Sequence, residues 1–372
     1  MNLKPFQLER YFARYEFHVE YTLCSSDCEA MTIADLLAFE TDAREKFERH
    51  WLGYTESSGA PTLRREVSGI YETIDPAQVL VHTGAEEAIF LFMHAVLNAG
   101  DHIIVHSPCY QSLSEVAQSI GCDVTRWNAR EENFWALDPD ELRRAIRRNT
   151  RVIVVNTPHN PTGYLMSRAD YECVNEIARE HEIILFSDEV YRESEYDATL
   201  RLPAACDMSD SAVSLGVMSK TYGLPGLRIG WIATHNARVY ERMAALKDYT
   251  TICNSAPSEF LAELALRYRA KLAQRNLEII TRNVKMLDEF FSRRAEMFEW
   301  VRPRAGPIAF PKLKLGEVDA FCHDVVTRAR VLLLPGTQFD DEGNHFRIGF
   351  GRKNMPEALA RLEEFLSRDG IA

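Results

Sequence analysis

The sequence lacks the features of membrane, secreted and nucleic-acid-binding proteins. In its 372 residues, no apolar run approaches the roughly 20 residues that span a bilayer. The first 14 residues lack the charged and then apolar layout of a secretory signal. Acidic side chains outnumber basic ones, 55 to 43, for a net charge of −12, which disfavours phosphate backbones and anionic lipid as partners. We therefore expect a cytoplasmic protein that binds neither nucleic acid nor membrane.

Cysteine is also sparse, and its spacing offers little to a metal ion. The eight cysteines are scattered through the chain. Cys24 and Cys28 lie close together, but no second Cys or His pair follows at the spacing of a zinc site. We expect free thiols, most of them small core residues, and no metal site.

The part of the sequence that does show a pattern alternates short apolar runs with amphipathic stretches. The alternation predicts a mostly parallel sheet with helices on both faces. The predicted strands are 78–82, 102–106, 151–155, 183–186, 212–217 and 229–233. The predicted helices between them include 85–97, 112–120 and 168–182.

The remainder of the chain predicts a second, smaller unit. A long helical region at 257–296 precedes strands at 331–334 and 346–350 and a helix at 356–366. The first 45 residues do not fit the sheet pattern and should pack beside this C-terminal piece. We therefore divide the chain into a large domain, 46–275, and a small α+β domain made of 1–45 and 276–372.

The most informative segment is 218–231, with the sequence MSKTYGLPGLRIGW. Lys220 follows an apolar strand and precedes a turn rich in Gly and Pro. A lysine that is partly desolvated there has a lowered pKa, and its free amine can form an imine. Arg228, eight residues on, can supply a bidentate contact to an anion.

This segment resembles the lysine motif of the fold-type I enzymes of pyridoxal 5′-phosphate, in the class I/II aminotransferase family. Five further segments appear in the family's order, and together they extend over nearly the whole chain: HTGAEEA at 82–88, SPCY at 107–110, NTPHNPTG at 156–163, ILFSDEVY at 184–191 and FRIGF at 346–350. The resemblance implies a mostly parallel seven-stranded sheet flanked by helices. It also implies a small domain built from both termini, and pyridoxal 5′-phosphate bound to Lys220 as an imine.

The resemblance assigns roles around the cofactor ring. A carboxylate at Asp188 would keep the pyridine nitrogen protonated, so that the ring can accept electrons. Tyr191 and Asn160 match the residues that hydrogen-bond the ring's O3′, and Tyr110 matches an aromatic that stacks on the ring. Taken alone, Asp188 also suits a helix or turn cap, and Tyr110 also suits a core position.

Other assignments concern the phosphate group. The first turn of a helix binds anions through its free N–H groups, and here that turn carries Gly84, Ala85 and Glu86. Val217 stands where many relatives have a Ser or Thr phosphate ligand, so Ser219 and Arg228 should contribute more. Tyr54 resembles the tyrosine that reaches the neighbouring subunit's cofactor, which implies a homodimer with shared active sites.

Three positions are assigned to the substrate, and one of them, Asn160, is also expected to contact the cofactor. Arg347 lies in an apolar strand, where a buried arginine needs an anion, and it matches the residue that clamps the substrate α-carboxylate. A structural salt bridge is the alternative. The segment 23–28 replaces a glycine found in relatives, so Ser25, or Ser26 beside it, is expected to contact the substrate.

We therefore predict an aminotransferase that moves an amino group between an α-amino acid and a 2-oxo acid through the Lys220 imine. A second interpretation stays open. The N-terminal aromatic stretch, regions 23–28 and 107–121 and the HNPTG loop also resemble capreomycidine synthase-type members, which cyclise a hydroxylated arginine. The alternative is thus a non-transaminating enzyme of the same fold, a cyclase or eliminase on an arginine-like amino acid or a C–S lyase.

Overall fold

A computed structural model describes residues 3–368 of the chain. Its strands are β1 (Tyr21–Thr22), β2 (Val79–His82), β3 (His102–Ser107), β4 (Asp123–Asn128), β5 (Thr150–Asn156), β6 (Ile184–Asp188), β7 (Val213–Val217), β8 (Gly230–Ala233), β9 (Phe298–Glu299), β10 (Ile308–Ala309), β11 (Lys312–Leu313), β12 (Val331–Leu332), β13 (Leu334–Pro335) and β14 (Phe346–Gly349).

The helices are α1 (Gln7–Tyr15), α2 (Ile33–Leu37), α3 (Ala43–Glu48), α4 (Pro61–Ser68), α5 (Gly84–Val96), α6 (Ser112–Ile120), α7 (Pro139–Ala145), α8 (Arg168–Glu180), α9 (Ala205–Met208), α10 (Ala237–Lys247), α11 (Ala256–Arg267), α12 (Arg269–Arg293), α13 (Val318–Asp324) and α14 (Met355–Arg368). None of the helices described is long and apolar enough to cross a membrane.

The centre of the molecule is a seven-stranded sheet in the order β2-β8-β7-β6-β5-β3-β4. Strand β8 is antiparallel to both of its neighbours, and the remaining pairings are parallel. The predicted fold class, a mostly parallel seven-stranded sheet flanked by helices, is confirmed.

Helices cover both faces of this sheet because its central strands are apolar on both sides. In β5, Val152 and Val154 pack in a cluster with residues of α5, α6 and α10. The alternate residues Ile153 and Val155 pack in another cluster, with residues of α8. Successive side chains of a strand point to opposite faces, so one short apolar run contributes to both layers.

One strand of the central sheet was not predicted from the sequence. The edge strand β4 (DVTRWN) pairs only with β3, and Trp127 is the buried residue among its six. Its side chains are mostly polar and exposed, which suits the edge of a sheet. The strand therefore lacks the apolar run by which the other strands of this sheet were predicted.

The long predicted helical region consists of two consecutive helices, α11 and α12, which are separated at Tyr268.

The two ends of the chain meet in a smaller α+β region. Strand β1 pairs with β12 in parallel, and β14 lies between β10 and β13. The proposed boundary at residue 275 falls within α12, and residues 1–2 and 369–372 of the predicted small domain lie outside the described part. The division into domains stays a prediction.

A buried histidine links this region to the loop after β4. His345 Nδ1 lies 2.8 Å from Asp341 Oδ2, and its Nε2 lies 3.2 Å from Glu131 Oε2. Lys312 Nζ is 3.4 Å from the same Glu131 oxygen. Burial acts to lower the pKa of His345, but the two carboxylates outweigh it and raise that pKa.

Candidate active site

A cavity of about 400 Å³ opens at the carboxyl ends of the central strands. Strands β5 and β6 end there in Asn156 and Asp188, and Lys220 follows the end of β7. In open α/β sheets, ligands bind in the crevice outside these strand ends. The predicted residues that line the cavity are Ser25, Ala85, Glu86, Tyr110, Asn160, Asp188, Tyr191, Ser219, Lys220, Arg228 and Arg347.

Lys220 is held in the cavity by the N-terminal segment. Its Nζ donates a hydrogen bond to Ser26 Oγ at 2.8 Å. Burial lowers the pKa of Lys220, and Arg347 acts in the same direction, while Asp27 and Asp188 oppose the shift. A lysine with a lowered pKa has a larger fraction of the neutral, nucleophilic amine at neutral pH.

Asp188 is a buried carboxylate with few partners. One oxygen accepts a hydrogen bond from the Val190 N–H at 3.2 Å. Burial raises the pKa of Asp188 to about 7, although this bond and the nearby Lys220 act to lower it. Asn156 donates to the backbone carbonyl of Asp188 at 3.0 Å. A cationic N–H beside the Asp188 carboxylate would offset the cost of its burial.

Asn160 and Arg347 contact each other directly. Arg347 donates from Nη1 to Asn160 Oδ1 at 3.1 Å, and from Nε and Nη2 to the Cys24 carbonyl at 3.1 and 2.9 Å. A guanidinium has five N–H groups, so two remain, one on each terminal nitrogen. That pair has the geometry of a fork for a carboxylate. No carboxylate among the described residues forms a salt bridge with Arg347.

The Tyr191 hydroxyl donates to the Ser26 carbonyl at 3.1 Å. Ser26 therefore contacts both Lys220 and Tyr191. The Ser25 hydroxyl is buried, and it has no hydrogen-bond partner among residues 3–368.

The first turn of α5 forms a cradle at another side of the cavity. Thr83 provides no side-chain cap to this helix, so the first N–H groups stay available to a ligand. Gly84 has φ +82°, and a Cβ there would lie 2.7 Å from Arg228 Nη2. A Cβ on Gly230 would lie 2.9 Å from the Ala85 nitrogen. The two glycines thus let Arg228 and a strand approach a helix N-terminus closely, and this suits an anion.

Tyr110 and Glu86 lie beside the cradle. The Tyr110 ring packs on Phe6 with a centroid separation of 5.0 Å, and its hydroxyl donates to Glu9 at 3.3 Å. Glu86 accepts a hydrogen bond from Ser112 at 3.1 Å. Burial nevertheless raises the pKa of Glu86 to about 7.

His159, to which sequence analysis assigned no role, joins two of the loops that form the site. Its Nε2 donates to the Pro108 carbonyl at 2.8 Å, and its Nδ1 lies 2.7 Å from Thr162 Oγ1. It stacks on His106 at 3.7 Å. Burial lowers the pKa of His159 to about 3, so the ring is neutral at ordinary pH and acts as a fixed link.

Tyr54 does not reach this cavity. Its side chain is 85% exposed, in the segment before α4. This placement is compatible with the expected contact to another subunit, but that contact stays a prediction. Gly84 is not itself in the cavity lining and takes part through its contact with Arg228.

Several lining residues were not predicted. They include Leu8, Glu9, Phe12 and Glu16 from the N-terminal segment, and Asp27, Asn156 and Arg352; Ser26, the expected alternative to Ser25, also lines the cavity. Glu9, Phe12 and Glu16 lie one, four and eight residues after Leu8. This spacing places all four residues on one face of a helix. That spacing was a usable signal, but only the tertiary structure directs this face to the cavity.

The sequence as a whole matches a known protein family. The model of the aminotransferase class I and II family matches residues 21–362. The chain belongs to this family.

Relatives of this class I/II aminotransferase chain include both transferases and cyclases. It is 30% identical to capreomycidine synthase of Streptomyces vinaceus over 96% of this chain and 93% of that protein. A crystal structure of a PLP-dependent aminotransferase from Streptococcus suis superimposes with a TM-score of 0.93, at 31% identity and over 99% of both chains. The PLP-dependent cyclase OrfR superimposes with a TM-score of 0.90, at 29% identity, over 99% of this chain and 98% of that one.

Members of the family depend on pyridoxal 5′-phosphate, and the residues present fit this group. The uncapped turn at Gly84 and the approaching Arg228 suit its phosphate. Among residues 3–368, no cationic group contacts the buried Asp188 carboxylate, and a protonated pyridine nitrogen would supply one. Lys220 carries the amine that would bind the aldehyde carbon.

The cysteines give no sign of a competing metal site. All eight are free thiols, and Cys24 and Cys28 are buried. Within residues 3–368, no group of three or more His, Cys, Asp or Glu side chains could hold a metal ion.

Proposed function

We propose that this chain is an aminotransferase that exchanges an amino group between an α-amino acid and a 2-oxo acid. The observation that carries the proposal is the arrangement of Lys220, Asp188 and Arg347 around one cavity. They supply an amine with a lowered pKa, a buried carboxylate and an unpaired guanidinium fork.

Each residue has a definite task in this proposal. Arg347 binds the α-carboxylate through its two remaining N–H groups and so orients the substrate. When bound, pyridoxal 5′-phosphate supplies an electron sink that stabilises negative charge at the substrate Cα. Asp188 keeps the proton on the pyridine nitrogen, and Lys220 Nζ takes and returns the Cα proton. Asn160 and Tyr191 are proposed to hold the ring oxygen, with Tyr110 against the ring.

A second candidate is a cyclase or eliminase that begins from the same substrate position. It is supported by the 30% identity to capreomycidine synthase and by the 29% identity to the cyclase OrfR. These values are close to the 31% shared with the aminotransferase from Streptococcus suis, so the overall similarity favours neither chemistry.

The experiment that separates the two is a titration of the holoenzyme with single amino acids in the absence of any 2-oxo acid. For an aminotransferase, the absorption band of the bound cofactor converts in one turnover to that of pyridoxamine phosphate, and one equivalent of 2-oxo acid appears. If the amino acid is consumed over many turnovers while the original band returns, the cyclase or eliminase proposal replaces the first.

The assignment of Lys220 has its own test. We expect Lys220→Ala to lose turnover by at least about three orders of magnitude, since it removes both the covalent link and the proton acceptor. Lys285→Ala, at an exposed lysine on α12, serves as the matched control. Normal turnover by Lys220→Ala without added amine contradicts the mechanism.

We also propose that the active enzyme is a homodimer. Two neighbouring segments expose large apolar side chains, namely Trp51, Leu52, Tyr54, Tyr249 and Ile252. The buried Lys247 joins them by donating to the carbonyls of Ser57 and Ile252 at 2.7 and 3.1 Å. A joined apolar surface of this kind is typical of an interface. Sedimentation equilibrium tests the proposal; a monomer at assay concentration with full activity contradicts it.

A further inference from the structure

The side of the cavity formed by the N-terminal helix carries an unmatched negative charge. Leu8, Glu9, Phe12 and Glu16 line the cavity from α1 and the residue that ends it. The helix is held at its first residue and at its middle, because the Gln7 N–H donates to Gln111 at 2.8 Å and the Tyr11 hydroxyl donates to the Leu333 carbonyl at 2.9 Å. Its acidic face is therefore a fixed wall of the cavity.

Arg352, the cationic lining residue that acts on Glu16, is already paired with an aspartate. Arg352 Nη2 contacts both oxygens of Asp27 at 3.0 Å, and its Nη1 donates to Thr22 at 2.9 Å. Asp27 and Arg352 thus balance each other. Glu9 and Glu16 are left as two carboxylates without a cationic partner, since no described residue forms a salt bridge with either.

Of these two carboxylates, Glu16 is the one that burial makes less favourable. Its side chain is partly buried, and burial raises its pKa even though Arg352 acts to lower it. Among residues 3–368, its carboxylate has no hydrogen-bond partner. A partly desolvated carboxylate without a partner is unfavourable, and a ligand that brings a positive charge would relieve the cost.

The geometry of the wall also suits a cation. Glu9 and Glu16 are seven residues apart, about two helical turns or roughly 10 Å along the axis, and Phe12 lies between them on the same face. A cation over the Phe12 ring would be attracted by the ring and would have a carboxylate on either side. A guanidinium can in addition form paired hydrogen bonds with a carboxylate.

We infer that the substrate is an α-amino acid with a cationic side chain, and that Glu9 and Glu16 are the residues that select it. The inference rests on the proposed function, in which Arg347 holds the α-carboxylate and Lys220 serves the Cα proton. The positive side chain would then meet α1, and amino acids with acidic side chains would be repelled by the same wall.

The test compares isosteric pairs that differ in charge, L-arginine with L-citrulline and L-lysine with L-norleucine. For the wild-type holoenzyme we expect kcat/KM to favour the cationic member by roughly 10- to 100-fold, the range expected for one or two charge-assisted hydrogen bonds. Glu9→Gln and Glu16→Gln should each reduce this ratio about tenfold. Glu20→Gln, an exposed acid outside the cavity, is the control and should keep the wild-type ratio.

A second readout separates recognition from catalysis. Binding of the same pairs to Lys220→Ala loaded with pyridoxal 5′-phosphate is measured by calorimetry, where no proton transfer by Lys220 is needed. If this variant prefers arginine while the wild type turns over no amino acid, the inference stands and the proposed function fails. If the wild type turns over arginine and citrulline equally well, the inference fails and the proposed function stands. A ratio unchanged in both Gln variants also overturns it.

Discussion

Removal of the Asp188 charge should stabilise the cofactor-free protein while it weakens cofactor binding. Burial raises the pKa of Asp188 to about 7, whereas an aspartate in the unfolded chain titrates near 3.9. Between these values the folded state binds a proton that the unfolded state does not, so stability falls as the pH rises from about 4 to about 7 and then levels off. The gap corresponds to ~4 kcal/mol at pH ~8 and to less than about half of that at pH ~5.

Asp188→Asn keeps the oxygen that accepts from the Val190 N–H and removes this cost. We expect the variant, without cofactor, to unfold in urea with a free energy up to ~4 kcal/mol above that of the wild type at pH ~8, with a smaller gain at pH ~5. Asp210→Asn, at an exposed site, is the control and should show no such pH dependence. An Asp188→Asn variant that is less stable than the wild type at pH ~8, or a gain equal at both pH values, refutes the reasoning.

The same variant should gain less stability from pyridoxal 5′-phosphate than the wild type does. The stabilisation by a ligand grows with its affinity for the folded state, and the wild-type carboxylate can pair with the protonated ring nitrogen. Thermal shifts at matched cofactor concentrations measure the difference. The two effects together describe a residue kept for function at a cost in stability.

Three further predictions follow from the site and its surroundings. Gly84→Ala should weaken pyridoxal 5′-phosphate binding at least about tenfold in a fluorescence titration, since φ is +82° and the new Cβ meets Arg228; Gly226→Ala, with open space around it, should not. His345 has a raised pKa, so its contribution to stability is complete at low pH and is lost as the pH rises through that pKa; urea unfolding of His345→Gln should lack this dependence, and an unchanged profile argues against it. Arg347→Lys should raise KM for amino acids roughly 10- to 100-fold, because it loses the two-pronged contact, and an unaltered KM contradicts the clamp.

Much of the site was accessible from the sequence because its residues sit in short motifs next to buried strands. Asp188 ends a strand of the sheet, Asn160 lies in the loop after the strand that ends at Asn156, and Lys220 follows another strand. The carboxyl ends of parallel strands lie at the same edge, so once the strands were predicted, the residues that follow them had to converge. Sequence order was thus sufficient to bring the predicted lysine, aspartate and asparagine together.

Other features could not be read in this way. Strand β4 has too few buried residues to show an apolar pattern, since an edge strand is defined by the neighbour that it pairs with. The pairing of Asp27 with Arg352 joins positions 325 apart in the sequence. The direction of the acidic face of α1 depends on contacts with Gln111 and Leu333.

By itself, the sequence indicated most strands and helices of the large domain and a mostly parallel sheet, because these depend on local periodicity. Through the family resemblance of short motifs, it also indicated the residues at the strand ends. Only the tertiary structure decided which charges meet. It paired Arg352 with Asp27, left the Arg347 fork free, and turned Glu9 and Glu16 toward the cavity. Whether a charge is matched or left open to a substrate depends on distances of a few ångströms between segments far apart in the chain, and electrostatic energies change steeply over such distances.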